Sequence, residues 1–253
     1  MLRLILALVC FAGFAHAQET VVADMSQNRV SITANFDGSE ILIFGAIKRE
    51  TTIPVYAPLE VIIAVTGPPE ATTVRRKERV FGIWANRDSV EFESTPSFYA
   101  LATTGPLNDI LSGSDDDRHG IRIGSLIKLH VDPQNHLNIP EFRDSIIRIR
   151  QANGLYSERE GIIVLNDDTL FNANISLPSN LVEGDYRTRI FLTRNRQVID
   201  DFETVIAVRK VGLERWIFNL AHNQPLIYGL LSLTIAILAG WLASSVFRLL
   251  KLN

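Results

Sequence analysis

The sequence predicts a mainly β protein: one or two immunoglobulin-like antiparallel sandwiches with a short helical insert, followed by a single C-terminal transmembrane helix. Apolar and polar residues alternate along most of the body, which is the two-residue period of half-buried strands. Glycine, proline and asparagine turns separate these segments at short intervals. Residues 225–247 form an uncharged apolar run that is long enough to cross a bilayer as a helix.

Composition and local pattern together divide the 253-residue chain into seven segments. At 47% hydrophobic residues, the body can bury a large core. The pattern alone leaves open whether the two β regions form separate cores. The predicted segments are a signal peptide (1–17), a β-sandwich domain (18–105), a loop and helical connector (106–155), a second, immunoglobulin-like β region (156–212), a juxtamembrane amphipathic segment (213–224), the transmembrane helix (225–247) and a cytoplasmic tail (248–253).

The N-terminus has the form of a signal peptide. Arg3 precedes an apolar stretch too short to span a membrane, and Ala15-His16-Ala17 gives the small-x-small pattern of a cleavage site. Such a signal sends the body across the membrane first, so we expect the C-terminus on the cytoplasmic side. The only cysteine, Cys10, lies inside this signal, so the mature chain would have no thiol for disulfides or thiolate metal sites.

In the first β region, residues 30, 32 and 34 alternate with polar neighbours and define the first strand. Further strands are predicted at residues 41–47, 59–65, 80–84, 90–92 and 98–103, with turns at 37–38, 67–69 and 86–88. The helical periodicity expected of a mixed fold is nearly absent here, which favours an antiparallel sandwich.

The connector carries the predicted helical insert. It should contain a helical turn at 107–111, a polar loop at 112–120, a strand at 121–131 and a helix at 140–152, with Phe142, Ile146 and Ile149 on one face and Gly154 after its end.

The second β region should contain strands at 161–165, 169–177, 185–193 and 197–209, the last two joined by a turn at 194–196. Gly184-Asp185-Tyr186 is similar to the tyrosine corner of immunoglobulin-like sandwiches, in which the phenol hydroxyl bonds back to the chain.

The membrane-proximal segments suggest two kinds of contact. Leu213, Trp216, Ile217 and Leu220 have helical spacing, which fits either a helix on the membrane surface or one packed on the body. Within the span, small residues recur every four positions and let another helix approach closely. We expect this face to bind a permease or a second copy, although small residues are also common in spans: Ser232, Ala236, Gly240 and Ser244.

Candidate catalytic and metal-binding patterns are weak. Residues 115–120 begin like a calcium loop, but position twelve is Leu126 rather than a bidentate glutamate. Ser125 and Lys128 match an S-x-x-K motif without its partner motifs. The histidines at 119, 130 and 136, with Asp132, have no ligand-pair spacing. The sequence therefore predicts no metal, no cofactor and no enzyme, and leaves a hydrolase without a recognisable motif as a minor alternative.

The densest basic run is a candidate binding surface. Arg75, Lys77 and Arg79 would share one face of a strand and could bind an anion, a lipid headgroup or an acidic partner. Arg150, Arg187 and Arg189 would add to it only if the fold brings them near. The alternative is a solvated edge strand whose charges prevent edge-to-edge pairing. The net charge of −3 argues against nucleic acid as a partner.

Several stretches together resemble one known family. They are Phe36-Asp37-Gly38, Ile43-Phe44-Gly45-Ala46, Val74-Arg75-Arg76-Lys77, Gly82-Ile83-Trp84-Ala85-Asn86, Pro96-Ser97-Phe98-Tyr99-Ala100 and Tyr228-Gly229-Leu230. In this order they resemble the transmembrane proteins of alphaproteobacteria that combine an exported body with a C-terminal anchor, over nearly all of the mature chain. The resemblance implies a bacterial inner-membrane protein facing the periplasm, carries no catalytic residues, and suggests an accessory role beside a sulfite-exporter-like permease.

The expected function is therefore that of a non-catalytic, single-pass accessory partner of a membrane transporter, embedded in the lipid bilayer. The alternative is a periplasmic module that binds an anion or another small ligand.

Overall fold

The computed structural model describes residues 19–33, 35–49, 57–129 and 139–250, without the side chains of residues 213–215, 219 and 247–250. Within this part of the chain the strands, numbered in order, are β1 (Thr20–Met25), β2 (Arg29–Ile32), β3 (Ser39–Lys48), β4 (Leu59–Thr66), β5 (Pro69–Val80), β6 (Ile83–Pro96), β7 (Tyr99–Thr103), β8 (Lys128–Leu129), β9 (Tyr156–Arg159), β10 (Val164–Asn166), β11 (Leu170–Leu177), β12 (Gly184–Arg194) and β13 (Gln197–Lys210).

Helices occupy the connector and the C-terminal end. They are α1 (Leu107–Ile110), α2 (Gly113–His119), α3 (Ile123–Leu126), α4 (Ile139–Ala152), α5 (Leu213–Asn223) and α6 (Pro225–Leu250). The mainly β fold with a helical insert and one C-terminal apolar helix is confirmed, while the immunoglobulin-like arrangement stays a prediction.

The strands form three sheets. One is four-stranded, in the order β1-β3-β11-β10; the second is six-stranded, in the order β2-β13-β12-β4-β7-β9; and the third is β5-β6-β8. Strand β3 pairs with β11, and β4 pairs with β12, so both larger sheets take strands from both β regions of the sequence. The two regions therefore form one β body instead of two separate cores.

Strand β4 lies at the centre of the hydrophobic core. Ile62 and Ala64 belong to a cluster with β7 and the connector helices, and the alternate residues Val61, Ile63 and Val65 are fully buried as well. The two larger sheets contact each other between β1 and β12 and between β7 and β11. Since β4 is covered on both faces, its sequence is a continuous apolar run without the alternation of a half-exposed strand.

The tyrosine-corner residue makes the predicted bond. The Tyr186 hydroxyl donates to the Val182 carbonyl at 2.8 Å, and its ring is fully buried 5.7 Å from that of Phe98. Burial raises the pKa of this phenol to about 12.

The turn between β5 and β6 differs from the prediction. The sequence suggested a strand at 80–84 and a turn at 86–88, but the chain reverses at Phe81 and Gly82, with φ angles of 49° and 88°. Positive φ at both central residues is the pattern of a type I′ hairpin turn, which glycine favours. Residues 86–88 instead continue β6, where a register shift opposite Arg76 and Lys77 leaves Arg87 as the extra residue of a β-bulge.

The connector is more helical than predicted. Residues 113–119 form α2 in place of the expected loop, because the Ser112 hydroxyl caps the helix by accepting from the Asp115 amide at 3.2 Å and Gly120 ends it at φ 56°. The expected strand at 121–131 is wrong over α3, and among residues 121–129, which the structure describes, Lys128 and Leu129 are the ones in a strand. The helix predicted at 140–152 is confirmed as α4, which buries Phe142 and Ile146 but leaves Ile149 exposed.

Two compact units are distinguishable. One comprises the described residues up to Val30 together with those of Asp37–Val208, and the other comprises the described residues of Ser31–Phe36 and Arg209–Asn253. In the second unit α5 contacts α6, and Gln224 between them donates its amide to the Leu220 carbonyl at 3.0 Å. The predicted signal peptide lies outside the described residues.

Candidate functional site

The longest element of the β body is the hairpin of β5 and β6, and its outer half is exposed. Every residue of β5 from Arg75 to Val80 is exposed, as is the start of β6. At the turn, Phe81 is fully exposed, and Ile83 and Trp84 are 73% and 68% exposed. We call Val80, Phe81, Ile83 and Trp84 the hairpin tip. Within the described part of the chain these four large apolar side chains are exposed together at one end of the hairpin, which is unusual for apolar residues of this size.

The inner half of the hairpin is held firmly in the core. Val90 and Phe92 of β6 are buried in the main hydrophobic cluster. The Arg76 guanidinium donates to the Asp88 carboxylate from Nε at 3.0 Å, lies 3.5 Å from Glu141, and stacks 5.7 Å from the Phe142 ring. These contacts connect β5 to both β6 and α4, so the hairpin projects from a fixed base.

The structure brings the three predicted basic residues onto one strand. Arg75, Lys77 and Arg79 occupy alternate positions of β5, opposite Ser89, Asn86 and Trp84. We call these three side chains the cationic face. No carboxylate of the described residues forms an ion pair with any of them, whereas Arg76 and Arg87 pair with Asp88 and Glu78. Arg75 also borders a cleft of about 280 Å³ with Arg148 of α4.

The other arginines considered from the sequence lie elsewhere. Arg150 forms an ion pair with Glu70 at the base of β5, and Arg187 pairs with Glu203 at 3.2 Å on the neighbouring strand. Arg187 and Arg189 line a different cavity, of about 230 Å³, together with Lys128. Sequence reasoning missed this grouping, because Lys128 and the two arginines are about sixty residues apart in the chain.

This cavity carries unmatched polar atoms. The Arg189 guanidinium donates to the carbonyls of His119 and Gly120 at 2.6 and 2.8 Å, at the C-terminal end of α2. Its buried Nε and the buried Thr66 hydroxyl, which also lines the cavity, have no hydrogen-bond partner among the described residues. Burial, followed by repulsion from Arg187, lowers the pKa of Arg189. The cavity is lined by three basic side chains and one acidic one, Asp185, and Arg187 already pairs with Glu203, so a small anion would meet a modest excess of positive charge.

The aspartates of the calcium-like stretch have structural partners. The Asp115 carboxylate accepts from the Val198 amide at 3.2 Å, and that of Asp116 accepts from the amides of Ile121 and Arg122 at 3.1 and 2.8 Å. Among the described residues, no group of three or more histidines and carboxylates could hold a metal ion. His130, Asp132 and His136 lie outside the described residues.

The S-x-x-K pair is not arranged as a catalytic dyad. Ser125 is in α3, where its hydroxyl donates to the Arg122 carbonyl at 3.1 Å, and Lys128 is in β8 beside the cavity. The lysine required to activate such a serine belongs one turn further along the same helix.

The C-terminal helix has the length and composition of a membrane span. Pro225–Val246, 22 residues with a mean hydropathy of 2.1, is not buried by the rest of the described chain. The four predicted small residues lie on α6, where Ser232 donates to the Gly229 carbonyl at 2.9 Å and a side chain added at Gly240 would meet no atom. All four small residues are exposed within the described part of the chain.

Comparison with known proteins identifies the family. Residues 20–249 match the family model named "Putative transmembrane protein (Alph_Pro_TM)". No curated protein matches the chain. No solved structure matches it either. Since the matched region includes both the β body and the C-terminal apolar helix, the chain belongs to the Alph_Pro_TM family of transmembrane proteins.

Proposed function

We propose that this protein is a single-pass accessory protein of the bacterial inner membrane, with a periplasmic β body, a cytoplasmic C-terminus and no catalytic activity. The observation that carries the proposal is the 22-residue span, which the rest of the described chain leaves uncovered. A span that the described part of the chain leaves exposed can bind lipid on one side and a second membrane protein on the other.

The orientation follows from the signal-like N-terminus, which would deliver the body to the periplasm. A fluorescent protein that matures only in the cytoplasm should fluoresce when it is fused after Asn253. Alkaline phosphatase, active only in the periplasm, should be inactive at the same position. If the fluorescent fusion is dark and the phosphatase fusion is active, the C-terminus is periplasmic and this part of the proposal is refuted.

The partner is proposed to be a permease whose helix packs on the small-residue face. Replacing Ala236 and Gly240 with leucine would place large side chains where a close helix contact is needed. A matched control replaces Thr234 and Ser245 with leucine, which adds similar bulk on the opposite side of α6.

The test is crosslinking of cells that carry a C-terminally tagged copy, followed by identification of the proteins that co-purify from detergent. We expect one permease to co-purify with the parent and the control, and its yield to fall severalfold with the A236L/G240L variant. Unchanged recovery in that variant would refute the contact face. Recovery of a homodimer alone would refute the transporter partnership.

A second proposed function is the binding of a small anion, and the cavity lined by Lys128, Arg187 and Arg189 supports it. Sulfite, sulfate, phosphate and thiosulfate are the probes, and the readout is the melting temperature of the full chain in detergent. Charge reversal at Lys128 should abolish stabilisation if the anion occupies the cavity, whereas reversal at Lys77 should abolish it if the anion occupies the cationic face. No shift with any probe would refute anion binding at both places.

A further inference from the structure

The hairpin tip has a physical role that the proposed function does not use. A β-hairpin normally places polar residues at its turn, because the turn faces water. Here the turn and its flanks present Val80, Phe81, Ile83 and Trp84 instead, with Phe81 fully exposed. The tip is therefore suited to a surface that removes these side chains from water.

The charges behind the hairpin tip indicate what kind of surface this is. From Arg75 to Asp88 the hairpin carries five basic and two acidic side chains, although the whole chain has a net charge of −3. Glu78 and Asp88 are already paired with Arg87 and Arg76, and no carboxylate in the described part of the chain forms an ion pair with the cationic face. An anionic surface would complement this face along the full length of the exposed hairpin.

The arrangement of the hairpin tip and the cationic face favours a lipid bilayer over a protein groove as the surface that the hairpin contacts. Trp84 lies opposite Arg79 on the cationic face, so an aromatic ring and three cations point from the same side of the hairpin. Tryptophan favours the headgroup level of a bilayer, and basic side chains just behind it favour anionic lipids. The protein is also held at a membrane by its own span, which keeps the local lipid concentration high.

We propose that the hairpin tip inserts into the headgroup region of an anionic lipid bilayer, with the cationic face binding the lipid phosphates. The hairpin would act as a second, reversible membrane contact of the β body. Its fixed base at Arg76 and Phe142 would transmit this contact to the core. Each of the three cations should strengthen the contact roughly fivefold on an anionic surface.

The test uses the full chain with Cys10 replaced by serine and a single cysteine at Phe81, labelled with an environment-sensitive fluorophore. The protein is reconstituted into vesicles of phosphatidylcholine with or without phosphatidylglycerol, and quenching by doxyl-labelled lipid is measured. The matched control carries the cysteine at Asn195, in the exposed turn between β12 and β13. Both positions are solvent-facing turn residues, so the label should not disturb folding at either.

We expect severalfold stronger quenching at position 81 than at position 195 in vesicles that contain phosphatidylglycerol. Charge reversal of the cationic face (R75E/K77E/R79E) or added salt should reduce it toward the control value. Equal quenching at both positions would overturn the proposal. Quenching at position 81 that is equally strong with and without phosphatidylglycerol would overturn the role of the cationic face.

Discussion

Replacement of Glu19 by glutamine should be one of the most destabilising single substitutions in the β body. The Glu19 side chain is only 6% exposed and contacts two guanidinium groups, that of Arg49 at 2.7 Å and that of Arg194 at 2.5 Å. These contacts join the start of β1 to the ends of β3 and β12, which are up to 175 residues away. The glutamine would leave both cations buried without a countercharge.

The size of the effect follows from the burial of all three side chains. Removing one partner of a buried ion pair costs about 3–5 kcal/mol. Glutamine keeps the shape and one acceptor oxygen, so we expect the lower end, about 3 kcal/mol. At about 2–4 °C per kcal/mol for a body of this size, the melting temperature should fall by roughly 6–12 °C.

The assay is thermal unfolding of the full chain in a mild detergent, followed by the far-ultraviolet circular dichroism of the β body. The control is Glu78→Gln, which breaks the exposed pair with Arg87 and should leave the melting temperature nearly unchanged. If the melting temperature falls by the same amount in both variants, the proposed contribution of the buried ion cluster is wrong.

The pH dependence gives a second check on the same residue. Burial alone would raise the pKa of Glu19, but hydrogen bonds and charge from Arg194 and Arg49 outweigh it and hold the pKa below its usual value. A lowered pKa in the folded state stabilises the protein above the unfolded value of about 4.3, and this contribution is lost as the pH falls through the folded value. The difference between parent and variant should therefore shrink in acid. A difference that grows in acid would contradict this sign.

Three further substitutions test other parts of the structure by the same melting assay. Tyr186→Phe removes the bond to Val182 and should cost about 1 kcal/mol, and a neutral result would mean that the bond adds no net stability. Gly45→Ala would place a methyl group 2.5 Å from the Phe171 ring and should cost about 1–3 kcal/mol, so an unchanged melting temperature would contradict the close packing of β3 on β11. Ser112→Ala removes the cap of α2 and should cost about 1 kcal/mol, whereas Ser112→Thr should be nearly neutral.

Local pattern was enough to predict much of the fold. The alternation of β11 was evident because this strand has one buried and one exposed face, and the hairpin of β12 and β13 was evident from its turn at 194–196. The continuous apolar run of β4 and the C-terminal helix were equally clear. These elements depend on short-range periodicity, which a single sequence contains.

The errors arose where apolar residues do not face the protein interior. Val80, Ile83 and Trp84 have the pattern of a buried strand, so the turn at Phe81 and Gly82 was missed. Gly82 was the available signal for this turn, because glycine favours the positive φ that the turn requires. In the connector, Ser112 and Asp115 gave a helix-capping pattern that was overlooked in favour of a polar loop.

The candidate sites were predictable only in part. The cationic face was found because its residues alternate along one strand. The cavity of Lys128, Arg187 and Arg189 was not, because it depends on the packing of β8 near β12. Long-range packing of this kind leaves no local signal in a single sequence.

The interleaving of the two β regions has a consequence for biogenesis. A chain emerging from its N-terminus presents β3 and β4 long before their partners β11 and β12 exist. More than a hundred residues separate these strands, so their open edges stay available to neighbouring chains during synthesis. The body can close only when nearly all residues before the span have emerged. A nascent chain that stalls near α4 would thus be a substrate for chaperones or proteases, and truncation there would leave no independently folding half.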